Sequence, residues 1–161
     1  GRRPLAMIDT SILRDVDLFA GLDALHLAHL ASIAEERTLR KNEILFDEGD
    51  RDSALFVVAD GAIRISKIVP GIGEEALAIL GPSTYFGEME FIDRELNRAA
   101  RALAHESSRL YCFEYSALDD LLGTDRDLAL AIYASMTRTL ARRLRATNDK
   151  VTAMFAMAQF T

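Results

Sequence analysis

The chain has 161 residues and half of them are hydrophobic, which is enough for one packed domain with at most an appendage. Its formal net charge of -6 disfavours nonspecific binding to nucleic acid, which normally needs a basic face, but leaves room for a local anion pocket. No apolar run is long enough to span a membrane, and the lone cysteine, Cys112, suits a reducing compartment, so we expect a cytoplasmic protein without a membrane partner.

Residues 11–36 carry the apolar spacing of amphipathic helices, with Gly21 as an interruption, and we predict two short helices there. From Thr38 onward the apolar period shortens, and turn residues recur about every ten positions. Such a pattern is typical of an antiparallel barrel or sandwich.

Turn residues separate the predicted strands, which we expect at 43–46, 55–59, 63–69, 75–80, 99–104 and 109–115. Asp60-Gly61 stands between two of them and predicts a type I′ hairpin, because that turn needs positive φ at both central residues. Pro70-Gly71 and Gly81-Pro82 predict two further turns. Cys112 lies in the last strand and is expected to be a small buried hydrophobe.

The last third of the chain returns to helical spacing. A short helix over 116–122 is expected to end at Gly123, and Thr124 with Asp127 resembles a capping box opening a long helix over 125–158. At 1.5 Å per residue that helix is about 50 Å long, so part of it must project. A projecting apolar stripe usually packs on a second helix, so we expect a homodimer. The stripe comprises Leu128, Ile132, Met136, Leu140, Leu144, Val151 and Phe155.

Three residues between the strands could hold a ligand together. Gly87 and Glu88 begin a short apolar segment, and Arg98 follows ten residues after Glu88. A helix N-terminus supplies unpaired N–H groups, Arg98 supplies a planar fork suited to phosphate oxygens, and Glu88 can accept a hydrogen bond from a sugar hydroxyl. These complementary groups suit a nucleotide whose phosphate and ribose are bound together.

The segments with informative spacing are Ile44-Leu45-Phe46, Glu48-Gly49-Asp50, Leu55-Phe56-Val57-Val58, Tyr85-Phe86-Gly87-Glu88-Met89 and Arg98-Ala99-Ala100. In this order they resemble the cyclic-nucleotide-binding domains, and the tail over 140–151 resembles the dimerising helix of bacterial regulators of the catabolite-activator type. The resemblance implies an α+β, mainly β fold. A double-stranded, jelly-roll-like β-roll with N-terminal helices would occupy residues 1–123, and a long C-terminal dimerisation helix would occupy 124–161.

The resemblance also implies how the strand region would bind the ligand. Glu88 would accept a hydrogen bond from the ribose 2′-hydroxyl, and Arg98 would pair with the cyclic phosphate. Backbone N–H groups around Met89 and Ala99 would complete the anion site. Ala99 stands where other members carry a hydroxyl that can bind guanine, which favours cyclic AMP over cyclic GMP as the ligand.

Residues on other elements would complete the pocket. By the same resemblance, Thr147 would contact the adenine amino group, and Asn148 would contact the purine bound by the partner subunit. Ile63 and Ile65 lie on a strand expected to form the pocket wall. Thr147 and Asn148 also interrupt the apolar stripe. An equally good interpretation is that these polar residues fix the register of a helix pair.

Two residues depart from the family pattern. Ser83 replaces a frequent glycine, and Glu90 replaces the small residue usual two places after Glu88. A carboxylate about 5 Å from the phosphate would repel it by roughly 3 kcal/mol at an effective dielectric near 20. Alternatively, positions two apart on a helix point to different sides, so Glu90 would face solvent or pair with Arg94.

Several charged residues have ordinary interpretations. Arg101 competes with Arg98 as the phosphate ligand but is better explained as a solvated strand residue, and Glu88 could be a carboxylate interacting with a helix dipole. His26 and His29 have no third ligand nearby in sequence, so we expect no metal site. The basic cluster of Arg142, Arg143 and Arg145 is expected to be a solvated helix face.

No catalytic motif is present in the sequence, so our leading hypothesis is a non-enzymatic regulatory module that binds cyclic AMP and couples binding to the long helix. A structural dimerisation domain with a degenerate pocket is the first alternative. The second is the truncated sensory half of a DNA-binding transcription regulator. We expect no binding to nucleic acid by this fragment alone.

Overall fold

A computed structural model describes residues 8–160, and within them the chain forms five α-helices and eight β-strands. The helices are α1 (Thr10–Arg14), α2 (Ala24–Ile33), α3 (Met89–Ile92), α4 (Tyr115–Thr124) and α5 (Arg126–Ala158), with a 3₁₀ turn at Asp17–Phe19. The strands are β1 (Glu35–Leu39), β2 (Ile44–Phe46), β3 (Ala54–Asp60), β4 (Ile63–Val69), β5 (Gly73–Leu80), β6 (Tyr85–Phe86), β7 (Arg101–Ala104) and β8 (Ser108–Glu114).

The strands form two antiparallel four-stranded sheets, ordered β1-β8-β3-β6 and β2-β7-β4-β5. β3 is buried along almost its whole length, because one of its faces packs inside the roll and the other packs against the helices. Alternate residues therefore enter two apolar clusters: Leu55 and Val57 join the helices, whereas Phe56 and Val58 fill the space between the sheets. This arrangement confirms the predicted β-roll with flanking helices and a long C-terminal helix.

The turn at Asp60-Gly61 does not make the predicted hairpin. β3 and β4 belong to different sheets, so this turn carries the chain from one sheet to the other, and the type I′ prediction is wrong. Gly61 alone has positive φ, at +85°, and a Cβ there would overlap the Ser107 carbonyl oxygen and the Ser108 side chain. Glycine is therefore required by the close approach of the next loop. The Pro70-Gly71 prediction is confirmed, since β4 and β5 pair across that turn.

Three helix boundaries differ from the predicted ones, and the first is that of α4, which continues through Gly123 to Thr124 instead of ending at the glycine. The second helix ends at Ile33, and β1 begins at Glu35 inside the segment predicted to be helical. β1 is an edge strand exposed at every residue except Leu39, so it lacks the alternating apolar pattern that would have predicted it. The long helix is capped by Asp125 rather than Thr124, because the Asp125 carboxylate accepts the Leu128 backbone N–H at 3.0 Å.

The long helix α5 is packed on the domain only along its first part. Leu128, Ile132 and Met136 are buried, whereas every residue from 141 to 158 is exposed. The projecting half predicted from helix length is thus present. None of the helices within residues 8–160 is both long and apolar enough to cross a membrane.

Candidate functional site

The predicted ligand-binding segment follows the shortest strand of the first sheet. β6 pairs with β3 and delivers the chain to Gly87, which has a φ of +85°. Glu88 then stands at the N-terminus of α3, and an exposed loop leads to Arg98. We call residues 87–99 the cassette.

The backbone of Arg98 is held by the loop before β3. The Arg98 N–H donates to the Asp50 carbonyl, and the Gly49 N–H donates to the Arg98 carbonyl, both at 2.8 Å. The Glu48-Gly49-Asp50 turn quoted in the resemblance therefore positions the end of the cassette. This role explains why that turn and Arg98 occur together in the pattern.

The side chain of Arg98 points into the protein and is only 2% exposed. One terminal nitrogen, Nη2, donates to the Ala54 carbonyl at 2.6 Å and lies 3.4 Å from an Asp52 carboxylate oxygen. The other, Nη1, lies 3.3 Å from the Gly87 carbonyl, 3.1 Å from the Tyr115 hydroxyl and 3.1 Å from Oε2 of Glu90. The guanidinium is thus held by protein groups on both sides.

Aromatic rings surround the same guanidinium. The Arg98 Cζ atom lies 4.3 Å from the centre of the Phe46 ring and 5.8 Å from that of Phe56, which are cation–π distances. Its Nε atom is buried and has no hydrogen-bond partner among the described residues. The Nε–H donor of the guanidinium is therefore unused. A buried donor without a partner is energetically costly.

Glu90 neither faces solvent nor pairs with Arg94, so both of those expectations are wrong. Its side chain is buried and pairs with Arg98, while Arg94 instead bonds Asp119 at 2.8 Å. The helical spacing argument failed because α3 is only four residues long and lies against the body of the domain. One face of so short a helix can be buried without the periodicity of a longer one.

Glu88 is 3% exposed and forms an ion pair with Arg143 of α5. The Arg143 guanidinium also lies 5.9 Å from the centre of the Tyr85 ring. Arg143 was expected to belong to a solvated helix face, and its pairing with the cassette corrects that prediction. The basic cluster divides, because Arg142 bonds the exposed Asp17 at 3.3 Å.

Tyr115 closes the base of the cassette. Its hydroxyl donates to the Gly87 carbonyl and accepts from Arg98. Burial raises the pKa of Tyr115 to about 12, so the phenol stays protonated at neutral pH and remains a donor. Phe91 of α3 packs against this ring at 5.3 Å between centres and stacks on Tyr133 of α5 at 6.1 Å.

The remaining predicted binding residues are exposed, whereas the two predicted pocket-wall residues on β4 are buried or half-buried. Met89 and Ala99 are exposed on the cassette, and Thr147 and Asn148 are exposed on the projecting half of α5, without a hydrogen bond to any described cassette residue. Ile63 is buried and Ile65 half-buried on β4, beside β7. The structure therefore brings Gly87, Glu88 and Arg98 together, and leaves Thr147 and Asn148 apart from them.

Other polar candidates have structural partners. Arg101 pairs with Asp47 at 2.8 Å, which lowers the pKa of that carboxyl through the hydrogen bond from Arg101. His26 lies 3.0 Å from carboxylate oxygens of both Asp23 and Asp125, so it links the starts of α2 and α5. Cys112 is buried, as predicted, and burial raises the pKa of its thiol to about 12.

The sequence profile of the cyclic nucleotide-binding domain matches residues 36–125, more than half of the chain. The chain belongs to the cyclic nucleotide-binding domain family. It is 35% identical over 128 residues to the cyclic AMP receptor protein of Thermus thermophilus, covering 80% of this chain and 57% of that protein. The matched domain is a nucleotide-binding domain and not an enzyme.

Solved structures show the same fold. The catabolite activator protein of Thermus thermophilus matches with a TM-score of 0.76 and 31% identity, over 86% of this chain and 62% of that one. The N-terminal domain of a transcriptional regulator from Streptomyces coelicolor matches with a TM-score of 0.73 and 33% identity, over 87% of this chain and 94% of that one. The chain spans 57% and 60% of the length of two curated relatives.

Proposed function

We propose that this domain is a sensory module that binds cyclic AMP at the cassette and transmits binding to α5. The observation that carries the proposal is the convergence of Gly87, Glu88 and the Arg98 fork on one turn, with α5 reaching that turn through Arg143. Glu88 and Arg98 are the groups that a ribose hydroxyl and a phosphate require. The names of the Thermus thermophilus and Mycobacterium tuberculosis relatives specify cyclic AMP, and Ala99 lacks a hydroxyl for guanine.

Coupling needs a ligand that binds one position of α5 better than another. In this structure α5 contacts the cassette at two points, the Arg143–Glu88 ion pair and the Tyr133–Phe91 stack. A ribose hydroxyl at Glu88 would change the first contact directly. Any contact of Thr147 or Asn148 with the base would add a preference for a docked helix. Two copies would pair through the projecting half of α5. Within a longer regulator, α5 would be the part that moves when the ligand binds.

A structural dimerisation domain with a degenerate pocket is the second candidate. The Arg98–Glu90 pair favours it, because the arginine expected to bind phosphate already has a buried anionic partner. Breaking a buried pair costs several kcal/mol unless the ligand replaces the lost partner. Calorimetry separates the two candidates.

The test is a calorimetric titration of the domain with cyclic AMP, cyclic GMP and 5′-AMP. We expect saturable binding of cyclic AMP, and weaker binding of the other two. Arg98→Lys keeps the charge opposite Glu90 but loses the planar fork, so we expect it to weaken the binding of cyclic AMP by about tenfold or more. Arg101→Lys is the matched control, because Arg101 pairs with Asp47 outside the cassette and its replacement should leave affinity unchanged.

Absence of heat and of thermal stabilisation with all three nucleotides would favour the degenerate-pocket candidate, since a ligand of the folded state must stabilise it. Equal losses in Arg98→Lys and Arg101→Lys would show that phosphate is not bound by Arg98.

A further inference from the structure

We infer that Glu90 is an internal substitute for the ligand phosphate, so that binding proceeds by exchange of one anion for another at Arg98. The inference rests on the proposed function, because it concerns the same cassette. It assigns to Glu90 the role of setting the affinity of the site. The exchanged groups are the Glu90 carboxylate, which leaves the guanidinium, and the cyclic phosphate, which arrives.

The geometry of the pair supports a substitute rather than a surface ion pair. Oε2 of Glu90 lies 3.1 Å from Nη1 of Arg98, and the two side chains are 9% and 1% exposed. A buried guanidinium needs an anion close by, since an uncompensated charge is strongly unfavourable away from water. Glu90 supplies that anion from within the cassette itself, two residues after the carboxylate that would bind ribose.

The two sides of the guanidinium differ in how firmly they are held. Nη2 bonds a strand carbonyl, that of Ala54, and lies near Asp52, both outside the cassette. Nη1 bonds Glu90 of the four-residue helix α3, which leads into an exposed loop at 93–97. Its other partners, the Gly87 carbonyl and the Tyr115 hydroxyl, are uncharged. An entering phosphate therefore takes over the place of Glu90 at Nη1, while Nη2 keeps its partners.

Departure of Glu90 would also move its neighbour. Phe91 follows Glu90 on α3, packs on Tyr115 and stacks on Tyr133 of α5 with 12° between ring planes. A departure of Glu90 that shifts α3 changes the stack on α5. The exchange thus connects the phosphate site to the long helix by a second route, independent of the Glu88–Arg143 pair.

The experiment compares cyclic AMP affinity in the wild-type domain, Glu90→Gln and Glu106→Gln. The first variant removes the competing charge but keeps the shape and a hydrogen-bond acceptor for Arg98. The second removes the same charge from an exposed residue on the loop between β7 and β8, outside the cassette. We expect Glu90→Gln to bind at least about tenfold more tightly and Glu106→Gln to match the wild type. Circular dichroism checks that both variants fold.

The outcomes separate this inference from the proposed function. Equal affinities in all three proteins would overturn the exchange and leave cyclic AMP binding intact. Binding by Glu90→Gln alone would support the exchange and show that the wild-type domain is not itself a sensor. Binding by none of the three would overturn both.

A measurement on the wild-type domain covers the case in which Glu90→Gln does not fold. The Glu90 carboxylate leaves its buried partner in the exchange, so the NMR resonance of its Cδ atom reports directly on that departure. We expect this resonance to move to the position of a solvent-exposed carboxylate at saturation with cyclic AMP. An unchanged Glu90 resonance in a saturated sample would overturn the exchange.

Discussion

At the scale of single residues, Gly87 makes the close packing of the cassette possible. Its φ of +85° is unfavourable for other residues, and a Cβ there would lie 2.9 Å from Nη1 of Arg98 and 3.0 Å from the Ala54 carbonyl oxygen. The Gly87 carbonyl in turn accepts hydrogen bonds from Arg98 and Tyr115. One glycine therefore allows a buried guanidinium to touch the turn that carries Glu88.

We expect Gly87→Ala to lower the free energy of unfolding by about 2 to 4 kcal/mol, because left-handed strain and a backbone clash act together. Gly71→Ala is the control: its φ of +79° brings similar strain, but no atom lies within 4 Å of the added Cβ, so about 1 kcal/mol is expected. Urea denaturation measures both. Equal losses would show that the contact with Arg98 and Ala54 is not tight.

The sequence indicated which cassette residues lie together, but not which other residues contact them. Gly87, Glu88 and Arg98 could be chosen because their types and spacing match what a phosphate and a ribose need. Their internal partners could not, since Arg143 is distant in sequence and the Ala54 contact is a backbone carbonyl. The sequence showed that Glu90 is unusual at its position, but the orientation of its side chain depends on how α3 packs on the domain.

At the scale of elements, the projecting half of α5 has the pattern of a pairing helix. Leu144 and Val151 are seven residues apart and both exposed, with Thr147 between them. Apolar residues that recur every seven positions keep one apolar stripe of a helix facing a second helix. Exposed apolar residues in such an arrangement are a candidate surface for a second copy of this chain.

We expect the domain to be a dimer in solution and the double variant Leu144→Glu/Val151→Glu to be a monomer, because four buried carboxylates would face one another in the pair. Ala153→Glu is the control, since residue 153 is exposed on another side of α5 and should leave the dimer intact. Sedimentation equilibrium gives the masses. A monomeric wild type, or a dimer that survives the double variant, would contradict pairing through this seam.

Strand pairing shows which elements sequence can and cannot predict. The β4–β5 hairpin follows from Pro70-Gly71 because its two strands are neighbours in both chain and sheet. The turn at Asp60-Gly61 has an equally strong local signal, yet β3 pairs with β8 and β6 instead of β4. Local turn chemistry reports the backbone conformation, whereas the choice of sheet depends on contacts far apart in sequence.

At the scale of the whole molecule, the cassette is the point where the roll and α5 meet. The roll holds Arg98 through Ala54, the loop before β3 holds its backbone, and α5 holds Glu88 through Arg143. In this structure Glu88 and Arg98 each have a protein partner where the proposed ligand would bind. Ligand affinity is then the difference between two sets of contacts, and only such a difference can shift the position of α5.

The most direct test is a crystal structure of the domain grown with cyclic AMP. We predict a phosphate oxygen within about 3 Å of the Arg98 guanidinium, the ribose 2′-hydroxyl at Glu88, and Glu90 withdrawn from Arg98. A nucleotide bound away from the cassette, or a cassette in which Arg98 still bonds Glu90 at saturating cyclic AMP, would contradict the account.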